Sequence, residues 1–155
     1  MSDPIDIIKL VNELPKRPRG RACIVLTHEY LGQKSWASEI SKQTKMSHLD
    51  LPDFFVKNGE LSSKISSFSI KDFFSFLQAK KDTPVLIITG LEFLMATWMA
   101  QANQAEQFCS YVETWNKSPA LLFILQHISA IAERKFLRHP DKIFIINQKN
   151  TLALS

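Results

Sequence analysis

The sequence predicts an α/β fold, a three-layer α/β/α sandwich built on a mainly parallel, five-stranded sheet. Three observations point to it. Apolar residues come in short unbroken runs, ACIVL at 22–26, PVLIIT at 84–89 and ALLFIL at 120–125, as in strands buried on both faces. Amphipathic segments with helical spacing lie between these runs, so strands and helices alternate. Finally, 155 residues with 45% apolar and 22% charged side chains, eleven Phe and three Trp are enough for a core. Residues 1–155 read as a single domain.

Each element has its own justification. Residues 6–14 place Ile7, Ile8, Leu10, Val11 and Leu14 on one helical face, and Pro15, Pro18 and Gly20 end it. The first strand, 22–26, leads through a polar turn into a helix over 35–45 that carries Trp36, Ala37 and Ile40 on one side. A second strand is expected at 48–51, stopped by Pro52, and 53–67 reads as a connection with a turn signal at Asn58-Gly59. Ile70, Phe73, Phe74 and Leu77 predict a helix over 69–79, with Ser69 as N-cap ahead of Asp72. After the strand at 84–89, a long helical pattern runs over 92–115, bent or broken at Ala102-Asn103. The strand at 120–125 precedes a short helix over 128–137. A strand at 142–146 completes the sheet, and 151–154 could add an edge strand.

Composition excludes several classes. Cys23 and Cys109 sit in apolar segments without metal-ligand spacing, which predicts buried, reduced thiols in a cytoplasmic protein. The N-terminus lacks the basic-then-apolar pattern of a secretory signal. Residues 84–100 are hydrophobic, but Thr89, Gly90 and Glu92 interrupt them, which argues for a buried strand and packed helix and against a membrane anchor. The formal charge is +4. Basic residues gather at Lys16, Arg17, Arg19 and Arg21, and again at Arg134, Lys135, Arg138 and His139. Such clusters suit phosphates of a nucleotide, DNA or an acidic partner, and equally a solvated surface.

In a doubly wound sheet, ligands bind beyond the carboxyl ends of the strands. The loop after the first strand, THEYLGQKS at 27–35, ends in the Lys–Ser pair of the phosphate-loop pattern G-x-x-x-x-G-K-[ST]. His28 and Gln33 stand where that pattern has glycine, and Gly32 comes one position early. Glycines let backbone N–H groups converge on phosphate, so His and Gln should narrow the nest. Lys34 remains available for a phosphate and Ser35 for Mg²⁺, helped by the helix N-terminus. The strand ending at Thr89 is followed by Gly90 and Glu92, and the strand ending at 125 by Gln126-His127. The histidines have no spacing that supports a metal or catalytic site.

Taken together, these segments resemble a P-loop NTPase domain of the RecA/AAA+ kind, with a degenerate Walker A over 28–35 and a degenerate Walker B over 86–92. More narrowly, the chain is similar to the BrxF family, small P-loop proteins of type 3 bacteriophage-exclusion (BREX) systems. The shared points are the strand–loop–KS start, the Leu49-Asp50-Leu51 step, the I-I-x-x-L-E-x-L block over 87–94, the polar residue closing the fourth strand and the His139-Pro140 pair. The resemblance implies a sheet whose third strand lies beside the first or one strand away. It implies ATP and Mg²⁺ as cofactors, held by His28, Gly32, Gln33, Lys34, Ser35, Thr89 and Gln126, with Glu92 orienting the attacking water. Gln126 would be the sensor of the γ-phosphate, and Arg134 or Arg138 a finger reaching a neighbouring subunit. Thr89 or Gly90, however, stands where the family has its Mg²⁺-binding acid.

Two functions follow. One is a pseudo-NTPase, an accessory binding and assembly module working with larger subunits of an antiphage or DNA-processing complex, with DNA contact through the basic clusters. The other is an ATP-binding protein whose hydrolysis is weak or depends on a homo-oligomer. Loss of the glycines and of the Walker B acid together favours the first.

Overall fold

A computed structural model describes residues 4–59, 68–80, 82–138 and 143–154. Five strands form one sheet: β1 (Ala22–Thr27), β2 (Ser47–Asp50), β3 (Val85–Thr89), β4 (Ala120–Gln126) and β5 (Ile145–Asn147). Their order is β2-β3-β4-β1-β5 and every pairing is parallel. The fold is thus α/β with a parallel sheet, as the unbroken apolar runs predict. β4 lies between β1 and β3, one of the two arrangements expected.

Strand residues alternate between two cores because successive side chains point to opposite faces. Ala22, Ile24 and Leu26 join Leu86, Ile88, Leu121, Phe123 and Leu125 in one core. Helices α3 (Leu51–Lys57), α4 (Ile70–Gln78), α5 (Glu92–Trp98), α6 (Gln104–Thr114) and α7 (Ser129–Ala132) contribute to it. Cys23 and Val25 join Val85, Ile87, Leu122 and Ile124 in the other core, with α1 (Ile7–Glu13) and α2 (Gln33–Thr44). Helices on both faces of the sheet make the three layers. Most of the Phe content is in the first core: Phe123 meets Phe108 edge-on at 5.2 Å between centroids and lies 6.2 Å from Phe73.

The boundaries differ from expectation where local capping decides. The first stretch after β2 is helix α3, not connection. Asp50 caps it by accepting from the Asp53 N–H at 3.3 Å, and Pro52 occupies its first turn, where a missing N–H costs nothing. Residues 60–67 of that predicted connection lie outside the described residues. The pattern over 92–115 breaks into α5 and α6 at Asn103, as expected, because its φ of 64° cannot continue a helix. The helix expected over 128–137 stops after one turn, because Arg134 is drawn into ion pairs with α6. β5 is shorter than predicted and the 151–154 segment forms a single bridge, Ile5 to Thr151. Residues 139–142, including His139 and Pro140, lie outside the described residues. Among the described residues, no helix is long and apolar enough to cross a membrane.

Cys23 and Cys109 are buried and unpaired, and burial pushes both thiols up to about 12, so neither is a nucleophile near neutral pH.

The packing gives a direct expectation. Phe123→Ala removes a fully buried ring from the centre of the first core and should cost about 3–5 kcal/mol in urea denaturation. Leu31→Ala, at a residue 84% exposed, should stay within about 0.5 kcal/mol.

Candidate functional site at the carboxyl edge of the sheet

The carboxyl ends of β1, β2, β3 and β4 bring together the loop at 28–32, the start of α3, the Gly90 turn and Gln126. Gly32 takes φ 89°, in the left-handed region, and its carbonyl accepts from the Trp36 N–H at 3.0 Å to open α2. Gly90 is required for another reason. At φ 77°, a Cβ there would lie 2.1 Å from Pro52 Cδ, so α3 packs directly onto the turn after β3.

One carboxylate ties three of these pieces together. Glu92, the first residue of α5, accepts at Oε2 from Gln33 Nε2 (2.9 Å) and from the Gln126 backbone N–H (2.7 Å). Gln33 Nε2 also donates to Thr27 Oγ1 at 2.9 Å, and Thr27 Oγ1 donates to the Glu29 carbonyl at 2.8 Å. Gln33 is 2% exposed, so its amide fills the space between the ends of β1 and β3. Gln33 Oε1 and Glu92 Oε1 are buried without a protein partner.

Beside this bracket runs a second chain of contacts. Thr89 Oγ1 lies 2.8 Å from both Asp50 Oδ1 and His48 Nε2. An ionised Asp50 only accepts, so the single Thr89 hydroxyl proton goes to it and His48 must present Nε2–H. Half-burial holds the His48 imidazole below its ordinary value. Lys34 pairs with Asp53 and, at 3.8 Å, with Asp50. The hydrogen bond between Lys34 and Asp53 holds the ammonium above and the carboxyl below the usual range. Burial, with the Asp50 and Glu92 carboxylates, pushes the Tyr30 hydroxyl up.

The predicted residues therefore divide. Gln33, Glu92 and Gln126 meet in one bracket, with Thr89 and Lys34 next to it through Asp50. Gly32 and Ser35 lie at the exposed start of α2, where Ser35 Oγ donates to the Gly32 carbonyl at 3.3 Å. His28 faces a neighbouring cavity of about 520 Å³ with His127 and Trp36, and its carbonyl accepts a long 3.5 Å bond from Gln126 Nε2. Arg134 is not brought to this edge. Its guanidinium grips Glu106 with Nε and Nη2 (3.1 and 2.8 Å) and Glu113 with Nη1 (3.3 Å), and lies over the Phe136 ring. That engagement explains the loss of helix after Ala132. Arg138 donates its backbone N–H to Glu113.

Sequence reasoning missed Asp50, Asp53 and His48. The signal was present, because Asp50 ends a parallel strand at the same edge as Thr89, its registered partner on β3. Among the described residues, no group of three or more His, Cys, Asp or Glu is placed to hold a metal ion. No family model matches the chain, and no curated protein is significantly similar to it.

Three outcomes test the geometry. Gln33→Ala removes the amide donor that buried Thr27 and half-buried Glu92 share and should cost about 1–3 kcal/mol by chemical denaturation. Arg134→Ala leaves the buried Glu113 carboxylate without its cation, with only the Arg138 N–H as donor, and should cost about 3 kcal/mol, with Arg134→Lys recovering only part because the fork is lost. For His48, the folded pKa is lowered from 6.5, so the unfolded chain binds the proton more readily. Its contribution to stability should be fully present above pH 6.5 and decline as pH falls through the lowered value. In His48→Gln, whose amide can still donate to Thr89, denaturation midpoints should lose that component of the pH dependence.

Proposed function

We propose that this chain is a pseudo-NTPase, a P-loop-like scaffold whose phosphate hollow is closed by its own side chains and which serves as a binding and assembly module. The observation that carries this reading is the Gln33 amide, held in the hollow by Glu92 and Thr27. Three features support it. β4 lies between β1 and β3, so the loop at 28–32 and the Gly90 turn face one another across the carboxyl edge. A phosphate-binding loop depends on backbone N–H groups converging on oxygen, whereas here the Gln33 N–H is given to the Tyr30 carbonyl at 3.3 Å. The edge also carries Asp50, Asp53 and Glu92 against the cation Lys34, a charge balance that repels a polyanion. As folded, these residues do not fit a triphosphate. The setting we infer is an accessory subunit working with larger partners of a bacterial antiphage or DNA-processing complex.

A second reading, an ATP-binding protein, keeps one observation in its favour. Lys34 has 61% of its side chain exposed at the start of α2, and its close partner is the half-exposed Asp53, with the more buried Asp50 3.8 Å away, so it can swing back.

Calorimetric titration with MgATP separates the two. The pseudo-NTPase reading expects no heat of binding at millimolar nucleotide, unchanged in Lys34→Ala. Micromolar affinity that disappears in Lys34→Ala would establish the second reading instead.

A further inference from the structure

At the opposite edge of the sheet, where the strands begin, α4 and α6 enclose a groove of about 260 Å³. Its floor is aromatic. Phe74 and Tyr111 stack at 4.7 Å between centroids and 11° between planes, and Trp115 packs against Phe74 at 5.6 Å. Phe74 and Trp115 are buried, and Trp115 Nε1 already donates to the Pro119 carbonyl at 2.8 Å, so the floor is structurally fixed. Tyr111 is half-buried, and Lys71 and Lys117 line the groove as exposed residues.

The basic run at 16–21 meets the groove at Trp115. The Arg21 N–H donates to the Trp115 carbonyl at 2.8 Å, which sets the run beside the residues leading to Lys117. Arg17 donates to the carbonyls of Gly20 and Ile143 at 3.1 and 3.2 Å, and Arg21 donates to the Arg17 carbonyl, so the run has a defined shape. Among the described residues, none of Lys16, Arg17, Arg19, Arg21, Lys71 and Lys117 forms an ion pair with a carboxylate. Lys34 at the other edge and Arg134 between α6 and α7 are both paired.

We propose that this groove and the basic run beside it bind single-stranded nucleic acid, with one unstacked base seated against Tyr111 and the flanking phosphates on Lys71, Lys117 and the 16–21 run. A ring face held rigid by a parallel stack, bordered by unneutralised cations, is the chemistry of strand binding without sequence preference. The groove has room for a base but not for a duplex, whose bases are turned inward. An acidic protein segment would use the cations and ignore the ring, which separates the two classes experimentally. The inference is independent of whether the opposite edge holds nucleotide.

The test is fluorescence anisotropy of the full chain with a labelled single strand of about 20 nucleotides, the matching duplex, and polyglutamate as competitor, over a salt series. Binding should favour the single strand. Replacing both Lys71 and Lys117 by Ala should weaken it about tenfold and lower the slope of log affinity against log salt by about 1.4, near 0.7 for each phosphate that is no longer neutralised. Tyr111→Leu should weaken it about fivefold with the slope unchanged, because stacking is removed and charge is not. Circular dichroism melting of each variant verifies the fold. The proposal is overturned if the single strand does not bind, if the double lysine variant binds like the parent, if the duplex binds equally, or if polyglutamate competes as strongly as the oligonucleotide.

Discussion

The Glu92 carboxylate sits where three separate pieces of chain must agree: the loop leaving β1, the turn leaving β3 and the last residue of β4. The segment after β3 supplies the carboxylate and the other two supply one donor each, and none is adjacent to another in sequence. A parallel sheet makes this possible, because all its strands end on the same edge and their exit loops converge. In a phosphate-binding protein, that convergence is directed at the ligand. Here the Glu92 carboxylate accepts from the Gln33 amide and from the Gln126 N–H.

Charge follows from the same exchange. Thr89 ends β3 where the resemblance leads one to expect a metal-binding acid, but its hydroxyl donates to Asp50 on the adjacent strand. Asp50 in turn caps α3 and lies within ion-pair distance of Lys34. The hollow is left to a neutral amide and a carboxylate that bind each other. At the carboxyl edge the cation Lys34 is paired with acids.

Much of the fold was legible in the sequence because its cause is local. ACIVL, PVLIIT and ALLFIL are unbroken since both faces of a central strand are buried, and Ser69 with Asp72 forms the capping box that starts α4. The misses have equally physical causes. The α3 helix depends on Asp50 acting as a cap, which is visible only when Pro52 is read as a helix starter and not as a strand breaker. The α7 helix stops because Arg134 finds two glutamates on α6, a long-range pairing that no window of sequence contains. At the site, the position of the loop could be read from strand and helix order. The partners of Gln33 and Glu92 could not, because residues 59 positions apart meet only when β1 and β3 lie one strand apart.

The side-chain amide of Gln33 is the most direct witness of the closed hollow. In a nitrogen–proton correlation spectrum its Nε2 protons should exchange slowly, as expected for a buried double donor, and should not move as MgATP is added to millimolar concentration. Saturable shifts of those resonances together with the Lys34 ammonium would mean that the amide leaves and phosphate enters, and would contradict a hollow closed by its own side chains.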